Sequence, residues 1–288
     1  MRGTTFSAIF NKNVRHMRLS TNSRKAVLFF AFLFFSSASA QNFEEGVSAY
    51  NRGEYQASYE VMQALAEQGN AAAQRNLGIH YYLGRGVSQN YSKAVRWFRA
   101  AAQQGIVFAQ FQLGFMYDNG QGVLQDYSEA VRWYQAAAEQ GYADAQLNLG
   151  VMYSKGEGIL QDYSEALRWY RAAAEQDHAT AQFNLGVMYD NGQGVLQDYS
   201  EAVRWYQAAA KQGDTSAQIN LALKYLLGEG VPESLLISHM WLNIASANGN
   251  QDARDTRDEV ADLMSREAIA EAQSRARRCM ETGYQDCD

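Results

Sequence analysis

The chain has 288 residues and a net charge of −6, and it contains two cysteines and one proline. Its acidity argues against a nucleic-acid partner, because affinity for phosphate backbones depends on lysine and arginine displacing counterions. Two cysteines without neighbouring histidines are too few for a closed zinc site, which needs four nitrogen or sulfur ligands.

The first segment has the composition of an export signal. Residues 1–40 contain six basic residues and no acidic residue. An apolar run at 26–35 follows the basic stretch, and Ala-Ser-Ala at 38–40 offers a small-residue cleavage site. The pattern predicts a signal peptide at 1–40 that is cleaved after Ala40, and hence a periplasmic or secreted protein.

Two alternatives remain open in this segment. Either Met1 or Met17 could be the start, since 17–40 alone has ordinary signal-peptide proportions. A retained anchor is the other alternative, although the apolar run is about half of the roughly 20 residues that a membrane helix needs. Cleavage would leave 19 basic and 31 acidic residues and no integral membrane segment.

From residue 70 the sequence repeats with a period of 36 residues. The period is marked by five tryptophans: Trp97, Trp133, Trp169, Trp205 and Trp241. Alanine, leucine, tyrosine and glycine recur in the same register. Repeats of this length are typical of solenoids, in which each unit buries its apolar face against its neighbours. We expect the tryptophans to be packing residues whose indole N–H groups find partners within or between repeats.

Each repeat is predicted to form two helices, A and B. In the third repeat, Ala145, Leu149 and Tyr153 share one helical face, which predicts the buried side of helix A. A glycine after this stretch should end the helix. Asp162, followed three residues later by Glu165, resembles a capping box that starts helix B.

These residues form a recognisable pattern: A-x-x-x-L-G-x-x-Y, then G-x-G-V or G-x-G-I, then D-Y-x-x-A-x-x-W. The pattern resembles the Sel1-like repeat, a longer relative of the tetratricopeptide repeat, and covers five units over 70–250. Residues 41–69 resemble a tetratricopeptide-like N-terminal unit. Residues 251–288 resemble the C-terminal capping helices and tail of exported bacterial members.

The resemblance implies an all-α fold, a right-handed α-solenoid of antiparallel helix pairs whose A helices line a concave groove. It also implies a non-enzymatic scaffold that binds a protein or peptide and needs no cofactor. Three positions depart from the pattern: Asp177 replaces the closing glycine, Ala222 replaces the glycine of L-G, and 232–234 replaces the usual L-Q-D. We expect these departures to loosen the last unit.

One set of candidate binding residues is a column of amides on helix A: Asn76, Asn148, Asn184 and Asn220. Asparagine is a modest helix former, so its recurrence requires a hydrogen-bonding reason. In related tetratricopeptide proteins such a ladder can grip a peptide backbone. The alternative is that each amide satisfies backbone groups of the neighbouring repeat.

The second set is apolar and faces the groove in the family geometry: Ile79, Phe108, Phe111, Phe115, Leu147, Val151, Phe183, Val187 and Ile219. Phe108, Phe111 and Phe115 share one helical face, which would form an apolar docking patch if it is left open. Burial beneath neighbouring helices is the alternative. Phe111 is the preferred anchor.

The sequence carries no catalytic or metal-binding motif. An enzymatic alternative comes from a cysteine-rich branch of the resembled family, which is linked to β-lactam recognition and hydrolysis. That branch has a cysteine pair in each repeat, whereas here Cys279 and Cys287 lie beyond the repeats. In an exported protein this pair is predicted to form a disulfide that pins the C-terminal tail to the last helix.

Overall fold

The computed structural model describes residues 42–287, and this part of the chain is all-helical, with 14 helices and no strand. The predicted signal peptide at 1–40 lies outside the described residues. The chain divides into two compact units, one ending at Asn90 and the other beginning at Tyr91.

The first unit contains three helices: α1 (42–51), α2 (Tyr55–Glu67) and α3 (Ala71–Leu83). Hydrogen bonds join α2 to α3, from Ser58 Oγ to His80 Nε2 at 3.1 Å and between the Tyr59 and Tyr81 hydroxyls at 2.9 Å. Because His80 also contacts the Arg85 carbonyl at 2.6 Å, its buried ring has two partners and a structural role.

The second unit contains the remaining helices: α4 (Tyr91–Gln103), α5 (Val107–Asp118), α6 (Tyr127–Ala138), α7 (Ala143–Lys155), α8 (Tyr163–Ala174), α9 (Ala179–Asn191), α10 (Tyr199–Ala210), α11 (Thr215–Leu227), α12 (Leu235–Ala247), α13 (Gln251–Ala261) and α14 (Arg266–Glu281). Consecutive helices pack on one another as in a solenoid, which confirms the predicted fold class. The recurring alanines and leucines of the A helices are fully buried, as at Ala145 and Leu149.

The ends of the helices follow the predicted local signals, with one correction. Helix α7 ends at Gly156, whose φ of 74° is left-handed. Asp162 caps α8 by accepting hydrogen bonds from the backbone N–H groups of Ser164 and Glu165. In a capping box the Glu165 side chain would accept a hydrogen bond from the Asp162 backbone N–H. Here that N–H donates to the Tyr153 carbonyl instead, at 3.0 Å.

Successive repeats of the second unit also touch through their A-to-B loops. Gly158 has a φ of 70°, and a Cβ placed on it would lie 2.7 Å from the Ser128 backbone nitrogen of the preceding repeat. The Ser128 hydroxyl donates to the Gly158 carbonyl at 3.3 Å. Each loop therefore lies on the first turn of the previous B helix.

The expected loosening of the last repeat is wrong at Ala222, which is fully buried in one cluster with Trp241 and Leu242. Ser234 keeps the capping function of the missing aspartate by accepting from the Ile237 N–H at 3.3 Å. Asp177 takes the left-handed conformation of the glycine it replaces, with a φ of 60°.

The expectation for the tryptophan N–H groups is confirmed at Trp133 and wrong at Trp169 and Trp205. Trp133 Nε1 donates to Glu129 at 3.1 Å, whereas the buried N–H groups of Trp169 and Trp205 have no partner among the described residues. The equivalent glutamate of Trp169 is Glu165, and its Oε2 atom accepts from both Nε and Nη2 of Arg168. That arginine also stacks over the Trp169 ring at 4.0 Å.

The C-terminal helices α13 and α14 both pack against α12. In the structure the sulfurs of Cys279 and Cys287 are bonded, with 4.5 Å between their Cα atoms, and both residues are buried. This bond joins the C-terminal tail to α14.

Candidate protein-binding face

The predicted groove residues share one property in the structure, which is that every one of them is half-buried. They are Asn76, Ile79, Phe108, Phe111, Phe115, Leu147, Asn148, Val151, Phe183, Asn184, Val187, Ile219 and Asn220. By contrast, the adjoining Ala and Leu columns of the same helices are buried completely. We call the half-buried side of the A helices of the second unit the A-helix face.

Two of the four asparagines make a defined contact with a tyrosine of the preceding B helix. Asn148 hydrogen-bonds to the Tyr134 hydroxyl, which donates to Asp118 Oδ2 at 3.3 Å. Burial raises the pKa of the Tyr134 hydroxyl most, the charge of Asp118 raises it further, and the hydrogen bond from Asn148 lowers it. The Tyr134 hydroxyl thus joins three successive helices, α5, α6 and α7.

The same arrangement recurs two repeats later with Asn220, Tyr206 and Asp190. Asp190 additionally holds the buried Lys224 of the next A helix at 2.5 Å. Burial lowers the pKa of Lys224, but its hydrogen bonds to Asp190 and Glu229 outweigh this and raise the pKa overall. The amide column is therefore partly structural, with a side-chain hydroxyl as partner instead of the backbone groups considered above.

The three phenylalanines of α5 contact different neighbours. Phe108 packs edge-on against Phe98 of α4, with ring centroids 6.4 Å apart. Phe111 lies between Tyr134 and Tyr142, at centroid distances of 5.9 and 5.1 Å. Phe115 packs against the same buried cluster as Phe111. Each of the three rings thus packs on neighbouring side chains and keeps part of its surface open.

The later A helices repeat this arrangement with other apolar side chains. Leu147 and Val151 of α7 pack against a buried cluster formed by α8 of their own repeat and α9 of the next one. Phe183 and Val187 of α9 pack against the cluster that begins with α10 and α11. The Phe183 ring is 6.0 Å from that of Tyr206. Each A helix therefore presents apolar groups four residues apart that are anchored on one side and accessible on the other.

In the first unit, Asn76 and Ile79 line a cavity of about 220 Å³ together with Tyr50, Arg75 and His80. The Arg75 guanidinium donates to Asn76 Oδ1 from Nε at 3.0 Å and from Nη2 at 2.8 Å. The Asn76 amide in turn contacts Met62 Sδ at 3.6 Å. The recess is thus lined by polar as well as apolar side chains, and Arg75 places a cation at its wall.

Sequence reasoning missed a column of buried glutamines that joins the repeats. Gln146 Nε2 donates to the Ala138 carbonyl at 3.2 Å, and its oxygen accepts from Gln176 at 2.8 Å. The equivalent residues Gln110 and Gln182 make the same two contacts. The recurring Ala-Gln dipeptide was the available signal, because a buried amide needs partners.

The part of the chain that the structure describes, residues 42–287, holds no group of three or more His, Cys, Asp or Glu side chains placed to bind a metal ion. It also holds no helix with the length and apolarity needed to cross a membrane. The bonded cysteines lie in α14 and the tail, away from the A-helix face.

The Sel1 repeat family model matches residues 71–106, 107–142, 143–178, 179–214 and 215–250, which together are more than half of the chain. The chain belongs to the Sel1 repeat family. Two relatives from Arabidopsis thaliana are ERAD-associated E3 ubiquitin-protein ligase components, HRD3B at 37% identity over 49 residues and HRD3A at 34% over 55. These matches cover 17% and 19% of the chain but 8% of each relative, so the chain spans less than a tenth of their length.

Two solved structures resemble this Sel1 repeat protein over most of its length. One is a Sel1 repeat protein from Oxalobacter formigenes, with 37% identity, a TM-score of 0.70, and coverage of 74% of this chain and 87% of that one. The other is a protective antigen of uropathogenic Escherichia coli strains that displays an SLR fold, with 35% identity and a TM-score of 0.70, covering 79% of this chain and 52% of that one. The chain is thus a Sel1 repeat scaffold.

Proposed function

We propose that this Sel1 repeat protein is an exported, non-enzymatic scaffold that binds a protein or peptide along its A-helix face. One observation carries the proposal: successive A helices keep half-buried apolar groups at equivalent positions while changing their identity. The first position is Phe111, Leu147, Phe183 and Ile219 in turn, whereas the buried column beside it is always leucine. A fixed frame with variable accessible side chains is what recognition of a particular partner requires.

The asparagines are compatible with this function despite their contacts to tyrosine. A side-chain amide has two N–H donors and one oxygen acceptor. The bond from Asn148 to Tyr134 uses one donor, so the half-buried amide keeps capacity for a bound peptide backbone. The names of the two plant relatives describe components of a larger assembly, which agrees with a scaffold role.

The test removes two apolar anchors in separate repeats. The double variant Phe111→Ala and Phe183→Ala should weaken binding of the partner isolated from the cell envelope at least tenfold, since truncating an interface anchor costs about 1–2 kcal/mol or more. Binding is measured by titrating the purified mature chain with that partner. Helical circular dichroism and the urea midpoint are measured in parallel, because both rings also pack on tyrosines.

The matched control is Leu263→Ala, which truncates an exposed apolar residue between α13 and α14 and should leave binding unchanged. If the double variant keeps its helical signal and binds with the affinity of the unchanged chain, the A-helix face is not the interface.

Export and the disulfide are proposed together, because an oxidising compartment is where such a bond forms and persists. The intact mass of the protein from the cell envelope should correspond to a chain that starts at Gln41 and lacks two hydrogens. A mass corresponding to a chain that starts at Met1 or Met17 would contradict export with cleavage after Ala40. Two free thiols in the denatured, unreduced protein would contradict the bond between Cys279 and Cys287.

A further inference from the structure

Three leucines in the second unit are almost entirely exposed, at 91%, 87% and 89% of their surface: Leu124, Leu160 and Leu196. They are 36 residues apart, and each occupies the same place in the loop between helices A and B. Scattered exposed leucines are common, but a row in fixed register forms an apolar surface of the kind that marks an interaction site.

The loops that carry these leucines are held by specific contacts. In the first of them, Gln125 Nε2 donates to the Asp118 carbonyl at 2.6 Å and to the Tyr127 hydroxyl at 3.0 Å. Each loop also lies against the start of the preceding B helix, as Gly158 does against Ser128. The three leucines thus follow one another along one side of the second unit, which we call the loop edge.

The fold does not need leucine at this position. Two loops of the same chain have Ser88 and Pro232 there, within the same Gly-x-Gly frame and with the same left-handed glycines. A leucine side chain gains about 1.5–3 kcal/mol when it is fully buried, and these three gain almost none of this within the chain. Contact with another molecule would account for their retention.

The charges beside the leucines favour some classes of binding partner over others. An exposed aspartate follows each leucine by two residues: Asp126, Asp162 and Asp198. The nearby glutamates are paired with arginines, as Glu129 is with Arg132 and Glu165 with Arg168, and Lys155 faces Glu157 at 3.8 Å. The unpaired charge of the loop edge is therefore negative, which disfavours a second copy of the same edge and an anionic lipid surface.

We propose that the loop edge binds a basic amphipathic helix of a partner protein. The leucines would contact the apolar stripe of that helix, and the three aspartates would face its lysines and arginines. This surface is separate from the A-helix face, so the chain would hold two partner segments at once.

The test uses a synthetic 18-residue helical peptide with leucines on one face and lysines on the other, and fluorescence anisotropy reports its binding to the mature chain. The variant Leu124→Ser, Leu160→Ser and Leu196→Ser follows the natural Ser88 and should bind at least tenfold more weakly. The variant Asp126→Asn, Asp162→Asn and Asp198→Asn keeps the helix caps, since asparagine is an equally good cap. This asparagine variant should bind the peptide more weakly, and its affinity should change much less with salt concentration.

Two controls separate this surface from the A-helix face. A peptide with glutamate in place of lysine should not bind, and the Phe111→Ala, Phe183→Ala variant should bind the lysine peptide as well as the unchanged chain does. Equal binding by the leucine-to-serine variant would overturn the proposal. So would leucine-dependent dimerisation in sedimentation, which would assign the edge to a second copy, or leucine-dependent binding to phosphatidylcholine vesicles, which would assign it to a membrane.

Discussion

At the scale of single residues, the glycine in three of the L-G pairs is matched to the aromatic ring that lies on it. A Cβ added to Gly150 would lie 2.7 Å from both Cδ1 and Cε1 of Tyr170, and Gly114 and Gly186 meet their own tyrosines in the same way. The repeat that has Ala222 instead has Leu242 in the place of the tyrosine. The departure at Ala222 is therefore one half of a compensated pair.

This match predicts a coupling that a double-mutant cycle can measure. Gly150→Ala should lower the free energy of unfolding by about 1 kcal/mol, since overpacking costs about 1–3 kcal/mol and the gain in helix propensity returns about 1 kcal/mol. In the Tyr170→Leu background the same change should be neutral or stabilising. Urea denaturation of the four proteins gives the coupling, and an equal cost of Gly150→Ala in both backgrounds would refute the pairing.

At the scale of helices, the starts and ends were predictable because their signals are local. Asp162 caps α8 and Gly156 ends α7, and both roles depend on residues within a few positions along the chain. The partners of Gln146 were not predictable, because they lie on α6 and after α8, on either side of its own helix. The unpaired N–H of Trp169 had a different cause: Glu165 and Arg168 lie on the same helix, but the sequence does not tell whether the arginine or the indole bonds to the glutamate.

For the candidate site, the sequence predicted which helix face is involved but not how far each side chain is buried. Periodicity identified the face on which Phe111, Leu147 and Phe183 lie, since a helix places every third or fourth residue on one side. How far each ring is covered depends on Tyr134, Tyr142 and Tyr206 in neighbouring helices. Sequence alone therefore did not decide whether these side chains are exposed or buried, and the structure shows that they are half-buried. The exposed leucines were not singled out, because their register matters only once the loops are seen to pack on one another.

At the scale of the whole molecule, the period of 36 residues was sufficient to predict the architecture, because each repeat buries its apolar columns against its neighbours. The repeat period does not predict the function, because repeat proteins that bind different partners can share the same buried residues. The accessible side chains of this chain are variable apolar groups on the A-helix face and three leucines with three aspartates on the loop edge.

The most direct test of the central claim, that the A-helix face holds a protein partner, is site-specific photo-crosslinking in the cell. A photoreactive amino acid replaces Val151 or Val187 on the A-helix face in one series, and exposed Gln135 on helix α6 in the other. We predict one discrete crosslinked protein from both A-helix positions, lost when Phe111→Ala and Phe183→Ala are present, and none from Gln135. Crosslinks from Gln135 with none from Val151 or Val187 would contradict the account.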